Sequence, residues 1–320
     1  MQITQSLRDT FMTQGYLVID NLLSADEIQA LVDDYVQLLD RIALQLYQER
    51  KIPSLFSDLP FDKRLGTILS QSQENLFRYF DIALPNEDIT EQTPFHLSPA
   101  IFNMIKNERI LDIIEQLIGG EILASPIQHV RIKPPQQTAE RNPNQSSLVK
   151  QTGWHQDQGV SREEADDTET ITVWLAVTDA TIDNGCLQVI PYSHRYGIAT
   201  HCPSNEQMTI PEKLLDGTPR PISIKAGSAL LLHRLTKHAS LPNISDSIRW
   251  SFDLRYQPIG QATGRDELPS LIVRSRSQPE LVQDDYDAWV TSWQDARTAL
   301  AHKGKRDKTH RWDGDAPVCA

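Results

Sequence analysis

Cysteine is scarce in this chain, and its pattern excludes two kinds of site. The sequence contains three cysteines, Cys186, Cys202 and Cys319, with no CxxC spacing among them. An odd number at these spacings forms neither a disulfide framework nor, by itself, a thiolate zinc site. We therefore expect reduced thiols in the core or at the surface.

Long apolar runs and an excess of positive charge are also missing. No apolar stretch approaches the roughly 20 residues needed to cross a bilayer, and MQITQSLRDTFMTQG lacks the basic start and apolar core of a signal peptide. These absences predict a cytoplasmic protein with no membrane partner. The formal net charge of −12 argues against nucleic acid as a partner, because phosphate binding needs a concentrated positive surface. A small-molecule substrate is expected instead, and no pattern indicates an oligomeric state.

The first third of the chain and its tail have the periodicity of helices. After a strand-like run over Tyr16–Ile19, Ser24 and Glu27 form a capping-box pattern, and apolar residues then recur at helical spacing. A second helix is predicted from Ser98–Ile118, ending at a pair of glycines. The tail is predicted to return to helix around Pro279–His302.

Between residues 121 and 258 the pattern changes to short β-rich runs separated by turn clusters. The runs IQHVRIK, ETITVWLAVTD, CLQVI, ISI, SALLLH and IRWSFDLRYQP favour an antiparallel sandwich or barrel over a βαβ fold. The polar stretch Pro134–Gln151 is predicted to be a mobile loop. Because no repeat or domain boundary is visible, we expect one domain over residues 1–320. It would have a helical part over 1–120, a β core over 121–258, and a C-terminal helix and tail over 259–320.

Two histidines and one aspartate have the spacing of a metal site. His155 and Asp157 lie in GWHQDQG, and on a strand both side chains would project from the same face. His238, in LLHRLTKHAS, follows Asp157 by 81 residues and could complete a triangular ligand set. Two neutral imidazoles and one carboxylate leave adjacent coordination positions open. Such a site suits ferrous iron that must chelate a keto acid and activate O2.

Arg249 is predicted to hold an anion beside this metal site. It follows His238 by 11 residues, on a strand where Arg249, Ser251, Asp253 and Arg255 share one face and apolar residues share the other. An inward guanidinium needs an anion and matches a carboxylate in bidentate geometry. The distal carboxylate of 2-oxoglutarate is the natural occupant, and Arg255 is the alternative clamp.

His194 and His233 compete with His238 for the place of the third ligand. His194 follows a proline-led turn in PYSH, and His233 lies five residues before His238, on the opposite face if the strand continues. Only His238 has both a serine two residues later and the arginine at the eleventh position. We therefore prefer His238.

The joint pattern resembles the phytanoyl-CoA dioxygenase family. The likeness runs from GYLVIDNLLSADEIQAL to LRYQP and is densest between Trp154 and Tyr256, where HxD, DNGCLQVIPYSH and HxxxxH follow one another. It implies a mainly β fold: a double-stranded β-helix, a jelly-roll or cupin-like barrel with N-terminal and C-terminal helices packed on one side. It also implies that 2-oxoglutarate is held by Arg249 and that iron is bound by His155, Asp157 and His238.

The resemblance implies further residues of the co-substrate pocket, although Lys133 could equally be a surface lysine. The positions that match pocket-lining residues of the family are Lys133 in RIKPP, Gln156, Trp174 in TVWLAV, and Ser240.

The implied function is an Fe(II)- and 2-oxoglutarate-dependent oxygenase that uses O2, releases succinate and CO2, and takes ascorbate as its reductant in vitro. Hydroxylation of an unactivated C–H bond in a small metabolite is expected first, and desaturation, epoxidation or cyclisation are other outcomes of this chemistry. Two other functions remain open: a jelly-roll protein that binds a metal or ligand without catalysis, and a zinc hydrolase, since zinc binds these ligands more tightly than ferrous iron. The substrate would be selected by three loops: Pro134–Gln151, Gly159–Thr168 and His201–Arg220.

Overall fold

Antiparallel strands make up the centre of the computed structural model, which describes residues 4–141, 151–204, 207–303 and 311–319. Within these ranges the strands form a seven-stranded sheet, a three-stranded sheet and a separate hairpin. This is the predicted double-stranded β-helix. The strands are β1 (Tyr16–Ile19), β2 (Glu121–Ala124), β3 (His129–Lys133), β4 (Ile171–Ala176), β5 (Leu187–Val189), β6 (Cys202–Ser204), β7 (Gln207–Thr209), β8 (Arg220–Ile222), β9 (Ala229–His233), β10 (His238–Ser240), β11 (Arg249–Pro258) and β12 (Leu271–Ser275).

β11 is the strand that organises the larger sheet. The sheet order is β1-β9-β4-β11-β2-β12, and the first half of β11 also pairs with β3. β5 joins β10 and β8 in the smaller sheet. The alternation predicted for β11 is confirmed, because one of its faces lies in the main hydrophobic cluster through Trp250, Phe252, Leu254 and Tyr256. The opposite, polar face is therefore available to the site.

The helices pack against the apolar face of this sheet. The main hydrophobic cluster joins residues of α2, α5, α6 and α8 to the buried side of β11, and the capping box of Ser24 and Glu27 at the start of α2 is present as predicted. The helices are α1 (Gln5–Gln14), α2 (Ala25–Gln48), α3 (Phe61–Ser72), α4 (Phe77–Phe80), α5 (Pro99–Ile105), α6 (Glu108–Ile118), α7 (Gln136–Glu140) and α8 (Tyr286–Lys303).

Three predicted elements differ from the structure. The helix expected over Ser98–Ile118 is broken after Ile105, because the side chain of Asn107 accepts a hydrogen bond from the Arg109 N–H and starts a new helix. The loop expected over Pro134–Gln151 contains α7, and residues 142–150 lie outside the described ranges. The tail helix begins at Tyr286 instead of near Pro279.

The expectation that all cysteines are reduced is wrong for two of the three. Cys202, at the start of β6, forms a disulfide with Cys319, with the two Cα atoms 5.4 Å apart, whereas Cys186 is free and buried. Sequence spacing could not show this bond, because it depends on the chain end returning to β6. No helix in the described part of the chain is long and apolar enough to cross a membrane. A cytoplasmic location stays a prediction, and disulfides are rare in reducing compartments.

Candidate metal centre

The three predicted ligands meet at one point. Candidate ligand atoms of His155, Asp157 and His238 all lie within 4.8 Å of one another, and they form the one such group of three or more in the described ranges. His194 and His233 lie outside this group and contact each other, with ring centroids 5.0 Å apart. The predicted convergence of the three side chains is therefore confirmed.

The backbone that carries His155 and Asp157 is not a regular strand. His155 forms an isolated bridge with His238, in which each backbone N–H donates to the other carbonyl at 2.9 Å, and Asp157 lies in the turn that follows. Gly159 lets this turn lie against His201, since a Cβ there would be 2.1 Å from the imidazole Cε1. The strand expected here is thus corrected to a single bridge and a turn.

Backbone carbonyls fix the tautomer of both histidines. The Nδ1 atom of His155 lies 2.9 Å from the Gly153 carbonyl oxygen, and that of His238 lies 2.9 Å from the Thr236 carbonyl oxygen. A carbonyl only accepts, so each Nδ1 carries the proton and each Nε2 keeps a free lone pair. Burial, reinforced by His238, lowers the pKa of His155 to about 3. The imidazole of His155 is therefore neutral at physiological pH, as a metal ligand must be.

Asp157 is held as a carboxylate by two partners. Its Oδ1 accepts a hydrogen bond from Arg255 Nη2 at 2.6 Å, and its Oδ2 accepts one from Thr172 Oγ1 at 2.7 Å. Burial raises the pKa of Asp157, but Arg255, together with His238, His155 and the Thr172 hydrogen bond, outweighs burial and holds this pKa well below its usual range. Arg255 and Thr172 are direct neighbours across β11 and β4. Sequence reasoning missed this relationship because it depends on the register of two strands.

This donor set fits a divalent transition metal. Two neutral imidazoles and one carboxylate are the ligands of mononuclear ferrous iron and also suit zinc. Each ligand has the outer hydrogen bond that normally orients a metal-binding side chain. Asp157 uses one hydrogen bond on each oxygen, so lone pairs remain for an ion.

Arg249 and Lys133 are two buried cations on neighbouring strands. They pair directly across β11 and β3 and are each about 2% exposed. Arg249 donates to Ser251 Oγ at 2.7 Å and to the Gly185 carbonyl at 3.2 Å, and its guanidinium lies 5.3 Å from the centre of the Trp174 ring. Burial lowers the pKa of Arg249 to about 10.

Lys133 connects this cation pair to the metal ligands. Its Nζ donates to Ser240 Oγ at 2.6 Å and to the Leu241 carbonyl at 2.8 Å. Ser240 follows His238 by two residues on β10, so the two side chains share a face of the strand. Burial, and then repulsion by Arg249, lowers the pKa of Lys133 well below its ordinary value. No carboxylate in the described ranges forms an ion pair with either cation.

Gln156 is engaged in a different way from the one expected. Its Nε2 donates to the carbonyls of Gly197 and Leu235 at 2.8 and 2.7 Å, and its Oε1 accepts from the Ala199 N–H at 2.8 Å. The side-chain amide is thus occupied by backbone groups, and it anchors the loop behind the metal ligands. A contact between Gln156 and a co-substrate stays a prediction.

A cavity of about 410 Å³ reaches His155 and Asp157. Two of the loops expected to select the substrate border it, through Val160–Arg162 and through Gln207 and Met208. Arg131 and Arg255 also line it, whereas Arg249 and Lys133 are not among its lining residues. Arg249 and Lys133 each keep at least one N–H donor that no described residue uses.

Comparison with protein families and curated proteins gives consistent matches. The family model for phytanoyl-CoA dioxygenase (PhyH) matches residues 11–251. A phytanoyl-CoA dioxygenase of Arabidopsis thaliana is 26% identical over 280 residues, which cover 79% of this chain and 90% of that protein. A probable alpha-ketoglutarate-dependent hypophosphite dioxygenase of Stutzerimonas stutzeri is 24% identical over 246 residues, 73% of this chain and 72% of that protein.

Solved structures share the fold at low sequence identity. The non-heme monooxygenase ThoJ matches with a TM-score of 0.59 and 20% identity, covering 93% of this chain and 99% of that chain. The non-heme alpha ketoglutarate dependent carbocyclase SnoK matches with a TM-score of 0.52 and 14% identity, covering 89% of this chain and 95% of that chain. The epimerase SnoN, in complex with Fe3+, alpha ketoglutarate and nogalamycin RO, matches with a TM-score of 0.51 and 16% identity. The match covers 81% of this chain and 86% of that chain.

Proposed function

The chain belongs to the phytanoyl-CoA dioxygenase family, and on that premise we propose that it is an Fe(II)- and 2-oxoglutarate-dependent oxygenase of a small molecule. One observation carries the proposal: the three-ligand group adjoins two buried cations, Arg249 and Lys133, that have no carboxylate partner in the described ranges. Burying unpaired charge is costly. A site that keeps two such cations next to a metal group is suited to a dianion that also chelates the metal.

In this proposal each side chain has a defined task. His155 and His238 would bind iron through Nε2 and Asp157 through its carboxylate, while Arg255 keeps Asp157 ionised and oriented. Bound iron would supply the coupling of O2 reduction to the oxidative decarboxylation of 2-oxoglutarate. Arg249 would hold the distal carboxylate of 2-oxoglutarate.

Lys133, Ser240 and Trp174 would complete the co-substrate site. Lys133 would contribute a second positive charge, and Ser240, which already accepts from Lys133, would exchange that bond for one to the ligand. Trp174 would support the plane of the Arg249 guanidinium through its present cation–π contact. The amide of Gln156 would keep the supporting loop in place from behind.

The proposed reaction is hydroxylation of a C–H bond, with succinate and CO2 as co-products. Desaturation, epoxidation or cyclisation would need the same residues and a different substrate pose. The chain is proposed to act as one catalytic unit, because a single hydrophobic cluster includes residues from Phe11 to Leu300. A zinc hydrolase could use the same three ligands, but it would leave the two buried cations without a role.

The direct test is succinate release by the purified protein supplied with Fe(II), ascorbate, O2 and 2-oxoglutarate, across a screen of metabolites. We expect iron-dependent release that some metabolites stimulate, its loss in His238→Ala, and its retention in the matched variant His233→Ala. Release that is absent with iron, together with hydrolysis of a screened ester or amide with zinc, would favour the hydrolase.

A further inference from the structure

Two of the arginines that line the cavity beside the metal ligands keep hydrogen-bond donors that no described residue uses. Arg255 is paired with Asp157, and Arg162 donates to both carboxylate oxygens of Glu267 at 3.2 and 3.0 Å. Arg265 donates to backbone carbonyls of the segment before α5. These three guanidinium groups are therefore occupied by the protein itself.

Arg131 and Arg78 retain unused donors. Arg131 forms an ion pair with Asp253 through Nε, 3.3 Å from Oδ2, and its two Nη groups have no partner in the described ranges. Arg78 is exposed and forms neither a hydrogen bond nor an ion pair in those ranges. The Arg131 guanidinium lies 5.4 Å from the centre of the Phe77 ring. Phe77 and Arg78 are consecutive in α4 and both line the cavity, so the two cations border the same wall.

The acids that line the cavity are already occupied. Asp81 lies 2.9 Å from His129 Nδ1 and accepts the Val130 N–H at 3.0 Å, and Asp157 is ion-paired. Five arginines and two aspartates line the cavity, so its lining is locally positive in a protein whose formal net charge is −12. Such local charge in a cleft attracts ligands of opposite sign.

We infer that the substrate is a small amphipathic acid, with a carboxylate or phosphate held by Arg131 and Arg78. This inference rests on the proposed function and names its substrate class. The cavity of about 410 Å³ is of a size that encloses a small molecule. Its apolar lining would contact the body of the substrate through Phe77, Leu84, Ile127, Val160 and Met208.

Matched pairs of probes that differ only in charge test this inference. Calorimetry would compare hexanoate with hexanamide, and 3-phenylpropionate with its amide, on anaerobic protein saturated with Mn(II) and 2-oxoglutarate. We expect at least one acid to bind about tenfold tighter than its amide, because each unscreened charged contact in a cavity contributes on the order of 1 kcal/mol or more. Arg131→Gln and Arg78→Gln should each reduce that preference to about threefold or less.

A control variant separates a local contact from the overall charge of the protein. Arg41→Gln removes the same charge from an exposed site on α2 outside the cavity and should keep the full preference for the acid. If no pair shows the preference in the wild-type protein, or if Arg41→Gln loses it equally, the inference is overturned. Failure of 2-oxoglutarate itself to bind would instead overturn the proposed function. Weakened 2-oxoglutarate binding in Arg131→Gln would assign Arg131 to the co-substrate site and overturn the inference.

A second, independent observation concerns the C-terminal segment 311–319. Trp312 Nε1 donates to the Gly159 carbonyl at 2.6 Å, and the Trp312 ring stacks on His201 with centroids 5.6 Å apart. His201 Nε2 in turn accepts the Gln156 N–H at 3.0 Å. These two rings therefore hold the backbone on both sides of Asp157. The residue after His201 is Cys202, whose disulfide to Cys319 ties the segment to β6.

We propose that the Cys202–Cys319 disulfide makes metal affinity redox-sensitive, with Trp312 and His201 as positioning residues for the metal turn. A dithiol reductant would pass two electrons and two protons to the disulfide, giving two thiols while the dithiol closes to its own disulfide. The segment would then be tied to the turn by non-covalent contacts alone. Outer contacts of this kind change metal affinity by about 10- to 100-fold.

The second proposal is tested by measuring Mn(II) affinity with electron paramagnetic resonance. Mn(II) is the suitable probe because it prefers oxygen and nitrogen ligands over the thiolates that reduction releases. Oxidised wild-type protein should bind Mn(II) about tenfold more tightly than Cys319→Ser. Reductant should lower the Mn(II) affinity of the wild type to that of Cys319→Ser and should leave the affinity of Cys319→Ser unchanged. Trp312→Ala should weaken binding with the disulfide intact, and Trp312→Phe should recover part of the loss. Equal Mn(II) affinity in all these forms, or three free thiols in the air-oxidised unfolded protein, would overturn the proposal.

Discussion

Arg255 and Asp157 form a buried ion pair in which guanidinium Nη2 lies 2.6 Å from carboxylate Oδ1. The pair compensates the charge of the proposed iron ligand when no metal is bound. Arg255 also donates to the Ile127 carbonyl at 3.0 Å, so its orientation is fixed from both ends. This arrangement makes Arg255 a partner of the proposed metal ligand and supports the proposal that Arg249 is the 2-oxoglutarate clamp.

Removing Arg255 should destabilise the metal-free protein and increase its dependence on metal. Arg255→Met leaves a buried carboxylate without its partner, which costs about 3–5 kcal/mol. Urea denaturation should show this loss in the free energy of unfolding, and saturating Mn(II) should restore more stability to the variant than it adds to the wild type. Arg64→Met is the matched control: Arg64 is buried but its partner Asp40 is largely exposed, so a smaller loss without metal dependence is expected.

Arg255→Met should also reverse the way in which the ionisation of Asp157 makes the free energy of unfolding depend on pH. In the wild type the folded pKa of Asp157 is depressed by Arg255. Its contribution to stability is therefore full above the unfolded pKa of about 3.9 and is lost as the pH falls through the folded value. Without Arg255, burial raises this pKa, and protonation then favours the folded state as the pH falls. The stability gap between the two proteins should narrow from about pH 7.5 to about pH 5; a constant gap would contradict this.

Lys133 should take up a proton when 2-oxoglutarate binds. Burial and Arg249 depress its pKa in the free protein, and a bound dianion would raise it. A group whose pKa rises on binding strengthens the complex fully when the pH is below its pKa in the free protein. This contribution is lost as the pH rises through its pKa in the complex. Calorimetry in buffers of different ionisation enthalpy should detect the uptake between these two pKa values, and Lys133→Met should abolish it. Equal proton uptake in wild type and Lys133→Met would assign the titration elsewhere.

Gly185 should be needed to place Arg249. Its φ is +87°, its carbonyl accepts from Arg249 Nε, and a Cβ there would lie 2.6 Å from the Leu241 carbonyl oxygen. Gly185→Ala should therefore lower stability by about 1–3 kcal/mol and weaken 2-oxoglutarate binding. Gly260→Ala, at φ +86° with open space around the Cβ, carries the backbone strain alone. Equal effects of the two substitutions on 2-oxoglutarate binding would show that Gly185 is not needed to place Arg249.

Features with a local pattern could be predicted from the sequence. The alternation of β11 and the capping box at Ser24 follow from strand period and helix-end chemistry, and they needed no knowledge of which strands are neighbours. The convergence of His155, Asp157 and His238 was implied by the family resemblance, because local spacing does not show that His238 lies beside His155.

Features that depend on tertiary register could not be predicted. The pairing of Arg255 with Asp157 requires the register of β11 on β4, and the Cys202–Cys319 bond requires the chain end to return to β6. The role of Gln156 in the co-substrate pocket was implied by the family resemblance, and it stays a prediction.

In the proposed function iron and 2-oxoglutarate bind together, with Arg249 as the clamp for the distal carboxylate. Anaerobic titration of the Fe(II)-loaded protein with 2-oxoglutarate, followed by the visible absorption of the chelate, measures this directly. Loss of one partner of a buried charge pair costs about 2–5 kcal/mol, or roughly 30- to several-thousand-fold in affinity. Arg249→Ala should lose that much affinity for 2-oxoglutarate and still bind iron, and Arg249→Lys should recover only part, because a point charge cannot replace the two-pronged contact. Wild-type affinity in Arg249→Ala, or no chelate absorption in the wild-type protein, would contradict the account.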